Sequence, residues 1–265
     1  MLSKLIRYEW KAVARVCIPM YGGLILAAML THFLLGNLER FSSTLYDIIT
    51  MAMSTLCFGL FMAAFVLTLI IQIQRFSKNL LGDEGYLMFT LPASVSQHIT
   101  AKLVVAVLLD VLSVAAAILA VLALALDGTM WLDLPGDFFD MIVYVDWSDW
   151  LLLLEVLILC LAAGAVGMLH IYASIAVGHL ARKHRTLAAF GAYFGFAVAL
   201  NILFTGLLEI VSSPWMAEIG RWFMELKGDT GGHLLMWLLI LGIAVLGAGF
   251  FVLTRYLLKN HLNLE

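Results

Sequence analysis

Six runs of about 20 or more mostly apolar residues dominate this chain, at 16–35, 50–73, 103–126, 151–177, 187–208 and 234–254. A hydrocarbon layer about 30 Å thick is crossed by about 20 helical residues, so each run is long enough to span. A closed β-barrel is the other way to satisfy the backbone inside lipid, but it reads as ten-residue alternations, and these runs are continuous. The remaining composition agrees. Of the 265 residues, 63% are hydrophobic and 12% charged, with mean hydropathy +1.02. A soluble fold of this size would have too little polar surface to cover itself, which sets aside soluble enzymes, nucleic-acid-binding proteins and disordered chains. Cys17, Cys57 and Cys160 all fall in apolar stretches, and an odd number there gives neither a disulfide framework nor a metal cluster. The expected fold is an all-α integral membrane protein of six transmembrane helices, with residues 1–265 forming one transmembrane domain.

Orientation follows from the basic residues. Twelve Lys and Arg lie before the first run, between runs 2 and 3, between runs 4 and 5, and after the last; three, Arg40, Arg221 and Lys227, lie on the other side. The positive-inside rule then places both termini in the cytoplasm, as an even number of crossings requires. A cleavable signal peptide is a poor reading of the start. Lys4, Arg7, Lys11 and Arg15 recur at helical spacing, opposite Leu2, Leu5, Ile6, Trp10 and Val13. Residues 1–15 therefore read as an amphipathic elbow helix on the inner leaflet, its basic stripe toward anionic lipid. It either anchors the chain or contacts a gate or partner. No internal repeat aligns the two halves, which weakens a transporter built from repeated units.

The cytoplasmic segment 74–102 is the most informative. In it, Ser94 and Gln97 form the capping pattern S-x-x-Q, so a helix should start near Ser94. Continued to Leu126, it would be about 50 Å long and must project beyond the bilayer. Between Asp83 and Thr90 there is room for one short helix, acidic at its start, where the macrodipole favours negative charge, and apolar beyond. The stretch GDEGYLMFTLP, residues 82–92, with Lys102 at the base of the third span, resembles the intracellular loop of membrane permease subunits of ABC-2-type exporters, in a bacterial, largely Firmicute-type subgroup. The segment LIRYEWKA, residues 5–12, resembles the same subgroup, and the likeness extends over the six-helix plan. The resemblance implies that Asp83, Glu84, Gly85, Tyr86, Leu87 and Phe89 belong to a coupling helix seated in a cleft on an ATPase subunit. The other reading of this loop is a helix that only caps the inner face of the bundle. No G-x-x-x-x-G-K-S/T phosphate loop occurs in the sequence, so any ATP-driven role needs a separate ATPase chain carrying ATP and Mg. By resemblance, two such ATPase chains would pair with two permeases, as a homodimer or a related heterodimer.

On the outer side, Ser213-Pro214 reads as the start of an amphipathic helix within 210–232, carrying Trp215 and Trp222 to the interface. It is expected to be an outer gate or an anchor. The outer loop 127–150 holds six aspartates and no Lys or Arg, without the spacing of an EF-hand. The loop is expected either to be poor in basic residues through topology alone or to form a calcium site or cation-attracting vestibule. Inside the spans, Asp110 is expected either to line a substrate path or dimer seam, or to make a helix–helix hydrogen bond. Glu155 and Glu209 are expected near the outer interface, where water solvates them, and His170 lies in the fourth run. Gly191 and Gly195 form G-x-x-x-G, which permits close helix approach.

The leading functional expectation is the transmembrane subunit of an ATP-driven exporter in the bacterial plasma membrane. By resemblance, it would move an amphiphilic or hydrophobic substrate such as a peptide antibiotic or lipid. The alternatives are a membrane sensor or scaffold that docks an ATPase without export, and an intramembrane enzyme, for which neither H-E-x-x-H nor G-x-S-x-G is present.

Overall fold

A computed structural model describes residues 1–38, 43–81, 93–125, 136, 139, 142–181, 183–214, 216, 218, 220–221 and 230–260. The fold is all-α. Its long helices are α1 (Leu2–Leu38), α2 (Ser43–Leu81), α3 (Val95–Ala125), α4 (Trp147–Gly178), α5 (Arg185–Val211) and α6 (Thr230–Asn260). All six are long and apolar enough to cross a membrane, and each coincides with one of the expected runs, the third as far as Ala125. With 27 to 39 residues, they are about 40 to 58 Å long and overshoot the hydrocarbon layer.

The overshoot is clearest where α2 ends and α3 begins. The α2 helix continues to Leu81, about 12 Å past the end of its apolar run at residue 73. The α3 helix starts with the expected capping box. The Gln97 N–H donates to Ser94 Oγ at 3.3 Å, and the Ser94 N–H donates to Gln97 Oε1 at 3.2 Å. Two N–H groups that the helix cannot satisfy internally are thus paired reciprocally.

The chain divides into two compact units, Met1–Gln74 with Val104–Val145, and Arg75–Leu103 with Asp146–Glu265. The first is built from α1, most of α2 and most of α3. Val13, Cys17 and Tyr21 of α1 pack with Val105, Leu109 and Ala116 of α3, and Ile6 and Trp10 add to the same cluster. Further along, Leu24, Ala28, Ala64, Ala120 and Ala123 form a second cluster, where small side chains let three helices approach closely.

This packing revises the reading of the N-terminus. Residues 2–15 are helical, and Lys4, Arg7, Lys11 and Arg15 are exposed as expected. There is, however, no break between this segment and the first span, and part of its apolar face, Ile6, Trp10 and Val13, packs against protein. The physical reason lies in the spacing. Ile6, Trp10, Val13, Cys17, Tyr21, Leu24 and Ala28 follow one another at three- and four-residue intervals, so a single buried stripe runs straight through the expected break.

In the second unit, α4 packs against both α5 and α6. Contact with α5 is tightest at Gly178, where an added Cβ would stand 2.5 Å from Ala189 Cβ and 2.6 Å from its backbone N. The turn into α5 passes through His184, whose φ of 57° and ψ of 45° are left-handed. Contact with α6 is close at Gly247, where a Cβ would meet Val166 at 2.9 Å. No residue of α5 is buried within this chain.

Candidate functional site

The residues expected to couple the chain to an ATPase, Asp83, Glu84, Gly85, Tyr86, Leu87 and Phe89, lie outside the described residues. What is described is the stem that carries them, the last turns of α2 and the first turns of α3, both in the second unit. Its anchor is Phe76, which is fully buried and stacks on Tyr172 of α4 with ring centroids 4.0 Å apart and planes 5° from parallel. Leu80 and Ile99 are likewise fully buried, and His98 nearly so. Lys102 is buried too, and its ammonium donates to the Arg75 carbonyl at 3.2 Å. A cation therefore ties the two strands of the stem at their base. The sequence marked Lys102 only through the family likeness, and did not mark Phe76 or Tyr172 at all. A large aromatic one turn beyond an apolar run, among Arg75 and Lys78, is the signal that could have identified Phe76.

In the first unit, Asp110 makes a helix–helix hydrogen bond. The side-chain amide of Gln72 donates to Asp110 Oδ1 at 3.0 Å and to the Ala106 carbonyl at 3.2 Å. One helical turn away, the Tyr21 and Thr68 hydroxyls meet at 2.8 Å. These groups form a short polar seam through three apolar helices, the arrangement that polar side chains in lipid require. Beside it, a cavity of about 200 Å³ is lined by Tyr21, Ser113, Phe61, Phe65 and apolar α3 side chains.

Gly191 and Gly195 of α5 are exposed, and an added Cβ would meet nothing within 4 Å at either one. The G-x-x-x-G face is therefore unused within the chain. Glu209 is exposed, in keeping with its expected position near an interface. His170 sits between two aromatic rings, 4.5 Å from Tyr193 and 5.1 Å from Phe250 by ring centroids. Among the described residues of the outer segments, Asp146 and Asp149 are exposed, and Pro214, Met216, Glu218, Gly220 and Arg221 are helical. Asp127, Asp133, Asp137 and Asp140 of the acidic loop, and Trp215 and Trp222 of the outer segment, lie outside the described residues.

Glu155 departs from expectation. It is not solvated but 1% exposed, with Oε2 2.8 Å from Nδ1 of His233 on α6. The Nε2 of the same imidazole is 3.1 Å from Ser148 Oγ. The local reason is helical register. Ser148 and Glu155 are seven residues apart, so they share a face of α4, and that face is the one packed on α6. A histidine directly after Gly231-Gly232, at the entrance to an apolar run, is the signal that the sequence reading passed over.

No protein-family model, curated protein or solved structure matches this chain. The fold and the packing together define a multi-pass membrane protein.

Proposed function

We propose that this chain is the transmembrane subunit of an ATP-driven exporter of the ABC-2 type, working as a pair of permeases with two separate ATPase chains in a bacterial plasma membrane. The reading is carried by the loop motif GDEGYLMFTLP, residues 82–92, standing between two helices that overshoot the bilayer. The buried stem adds a mechanical reason. A loop that receives force from a partner must pass it on; the Phe76–Tyr172 stack fixes this one's base to α4, and the Lys102–Arg75 bond ties its two helices together. ATP and Mg would sit in the partner, which closes on binding ATP and moves the loop. Transport chemistry in this chain is then positional, and the family likeness points to an amphiphilic or hydrophobic cargo. The exposed glycine face of α5 offers a seam for the second permease. The exposed stripe Lys4, Arg7, Lys11 and Arg15 suits anionic headgroups of the inner leaflet.

The test is co-purification with a candidate ATPase chain that carries a phosphate loop, followed by substrate-stimulated ATP hydrolysis and transport in liposomes. A buried aromatic anchor is worth at least about 2 kcal/mol at an interface, so Tyr86→Ala or Phe89→Ala should weaken association roughly thirtyfold. Glu84→Lys should weaken it most at low salt, because screening grows with ionic strength. Parent-like binding and transport in all three variants would sink the exporter reading. Association and hydrolysis with no cargo moved would favour the sensor instead. Orientation is checked separately. Lys183→Cys should be shielded from an impermeant thiol reagent in intact cells, and Asp137→Cys should be labelled.

A further inference from the structure

We propose that Glu155 is a proton-binding site within the spanning part of the second unit, loaded from the membrane surface at the start of α4 through Ser148 and His233. The inference is independent of any ATPase partner.

Three side chains stand in an unbroken hydrogen-bonded row. Ser148 Oγ is 3.1 Å from His233 Nε2, and His233 Nδ1 is 2.8 Å from Glu155 Oε2. The row descends from partly exposed to buried. Ser148 is half-buried in the first turn of α4, the His233 side chain is 18% exposed, and Glu155 is 1% exposed. Seven residues of helix carry Glu155 about 10 Å further along α4 than Ser148. The second carboxylate oxygen, Oε1, is buried and has no hydrogen-bond partner among the described residues. A carboxyl in that setting has somewhere to place a proton and little water to share its charge.

Imidazole is suited to the middle position because it can accept at one nitrogen while donating from the other. The step balances simply. Hydronium at the surface gives its proton to the Ser148 oxygen and leaves as water, the Ser148 hydroxyl proton passes to His233 Nε2, and the Nδ1 proton passes to Glu155. A tautomer change then resets the ring, leaving one proton gained by the carboxylate and no electron moved. A pair that only tied α4 to α6 would need neither the hydroxyl at the surface end nor an unpartnered oxygen at the buried end. The other described titratable groups at this end of the unit are Asp146 and Asp149 on α4, Glu209 on α5, and Glu218 and Arg221 beyond it. All five are exposed and already in reach of solvent, and α6 contributes His233 alone among its described first turns.

The experiment is infrared difference spectroscopy of the purified chain in lipid nanodiscs after an acid jump. The parent should develop a carboxylic-acid carbonyl band, and Glu155→Gln should lose the one component of it that Glu155 supplies, the exposed carboxylates contributing the rest. Ser148→Ala should reach the parent's final amplitude but at least about tenfold more slowly, the effect of one lost hydrogen-bonded link on a barrier. Ser148→Thr, which keeps the hydroxyl, should restore the rate. His233→Gln should be slower than Ser148→Ala. If the Glu155→Gln protein cannot be purified, the rates of the two serine variants still decide the question. A Glu155→Gln band identical to the parent's overturns the proposal, as does Ser148→Ala loading the Glu155 component at the parent's rate. Covalent capture of Ser148 by a fluorophosphonate would overturn it differently, by showing that the same row of atoms activates a nucleophile.

Discussion

Removing the Phe76 ring tests whether the stem is a rigid lever. Phe76 is fully buried and lies flat on Tyr172 at 4.0 Å. It falls past the apolar run of α2, between Arg75 and Lys78, so values measured in aqueous protein cores apply. Truncating a buried Phe to Ala costs about 3–5 kcal/mol through lost burial and the cavity left behind. The ring–ring term is about 0.5–1.5 kcal/mol of that. Local opening of the stem should therefore rise by roughly two to four powers of ten. Hydrogen exchange read by mass spectrometry in nanodiscs would show it as lost protection across 75–81 and 95–103, with α5 and the first unit unchanged. The double variant with Tyr172→Ala should fall short of additivity by about 0.5–1.5 kcal/mol, the shared stack. If the chain works with an ATPase as proposed above, Phe76→Ala should leave ATP hydrolysis running while cargo movement drops. Parent-like protection of 75–81 in Phe76→Ala, or strict additivity with Tyr172→Ala, would refute the lever.

Gly178→Ala should lower thermal stability by about 1–3 kcal/mol, because the new Cβ meets Ala189 backbone that cannot swing away. Gly191→Ala meets open space and should leave the monomer's melting temperature unchanged, while Gly191→Leu should weaken pairing of two copies in cross-linking. Ser94→Ala should cost about 1 kcal/mol, seen as faster exchange in the first turn of α3 only. Gln72→Leu should cost about 1–3 kcal/mol in detergent unfolding by orphaning Asp110, and the double variant with Asp110→Leu should recover most of it.

The spans were legible because a 20-residue apolar run has few alternatives in lipid. The start of α3 was legible because Ser94 and Gln97 carry their own hydrogen-bonding chemistry. Partner choice was not. Trp10 and Val13 make an apolar face that reads the same whether lipid or α3 covers it, so the helix looked interfacial although Val105 and Leu109 bury it. Glu155 looked solvated because its distance from the end of the run is visible in sequence, while the imidazole that meets it lies 78 positions away. The Phe76–Tyr172 stack was hidden for the same reason, since stacking is a property of two helices and neither run announces the other. The GDEGYLMFTLP motif was recognisable only by likeness, since nothing in its spacing dictates a partner.

The stem has one further consequence, for how such a chain changes over time. The contacts described for these helix ends, the Phe76–Tyr172 stack, the Lys102–Arg75 bond and the Ser94–Gln97 cap, all lie outside residues 82–92. Doubling the length of a connection costs only about 0.6 kcal/mol in closure entropy. The intervening stretch is therefore an interchangeable part. It can be lengthened, shortened or rewritten to suit a different companion while the helices that present it stay folded, and a segment grafted from another chain should be carried equally well.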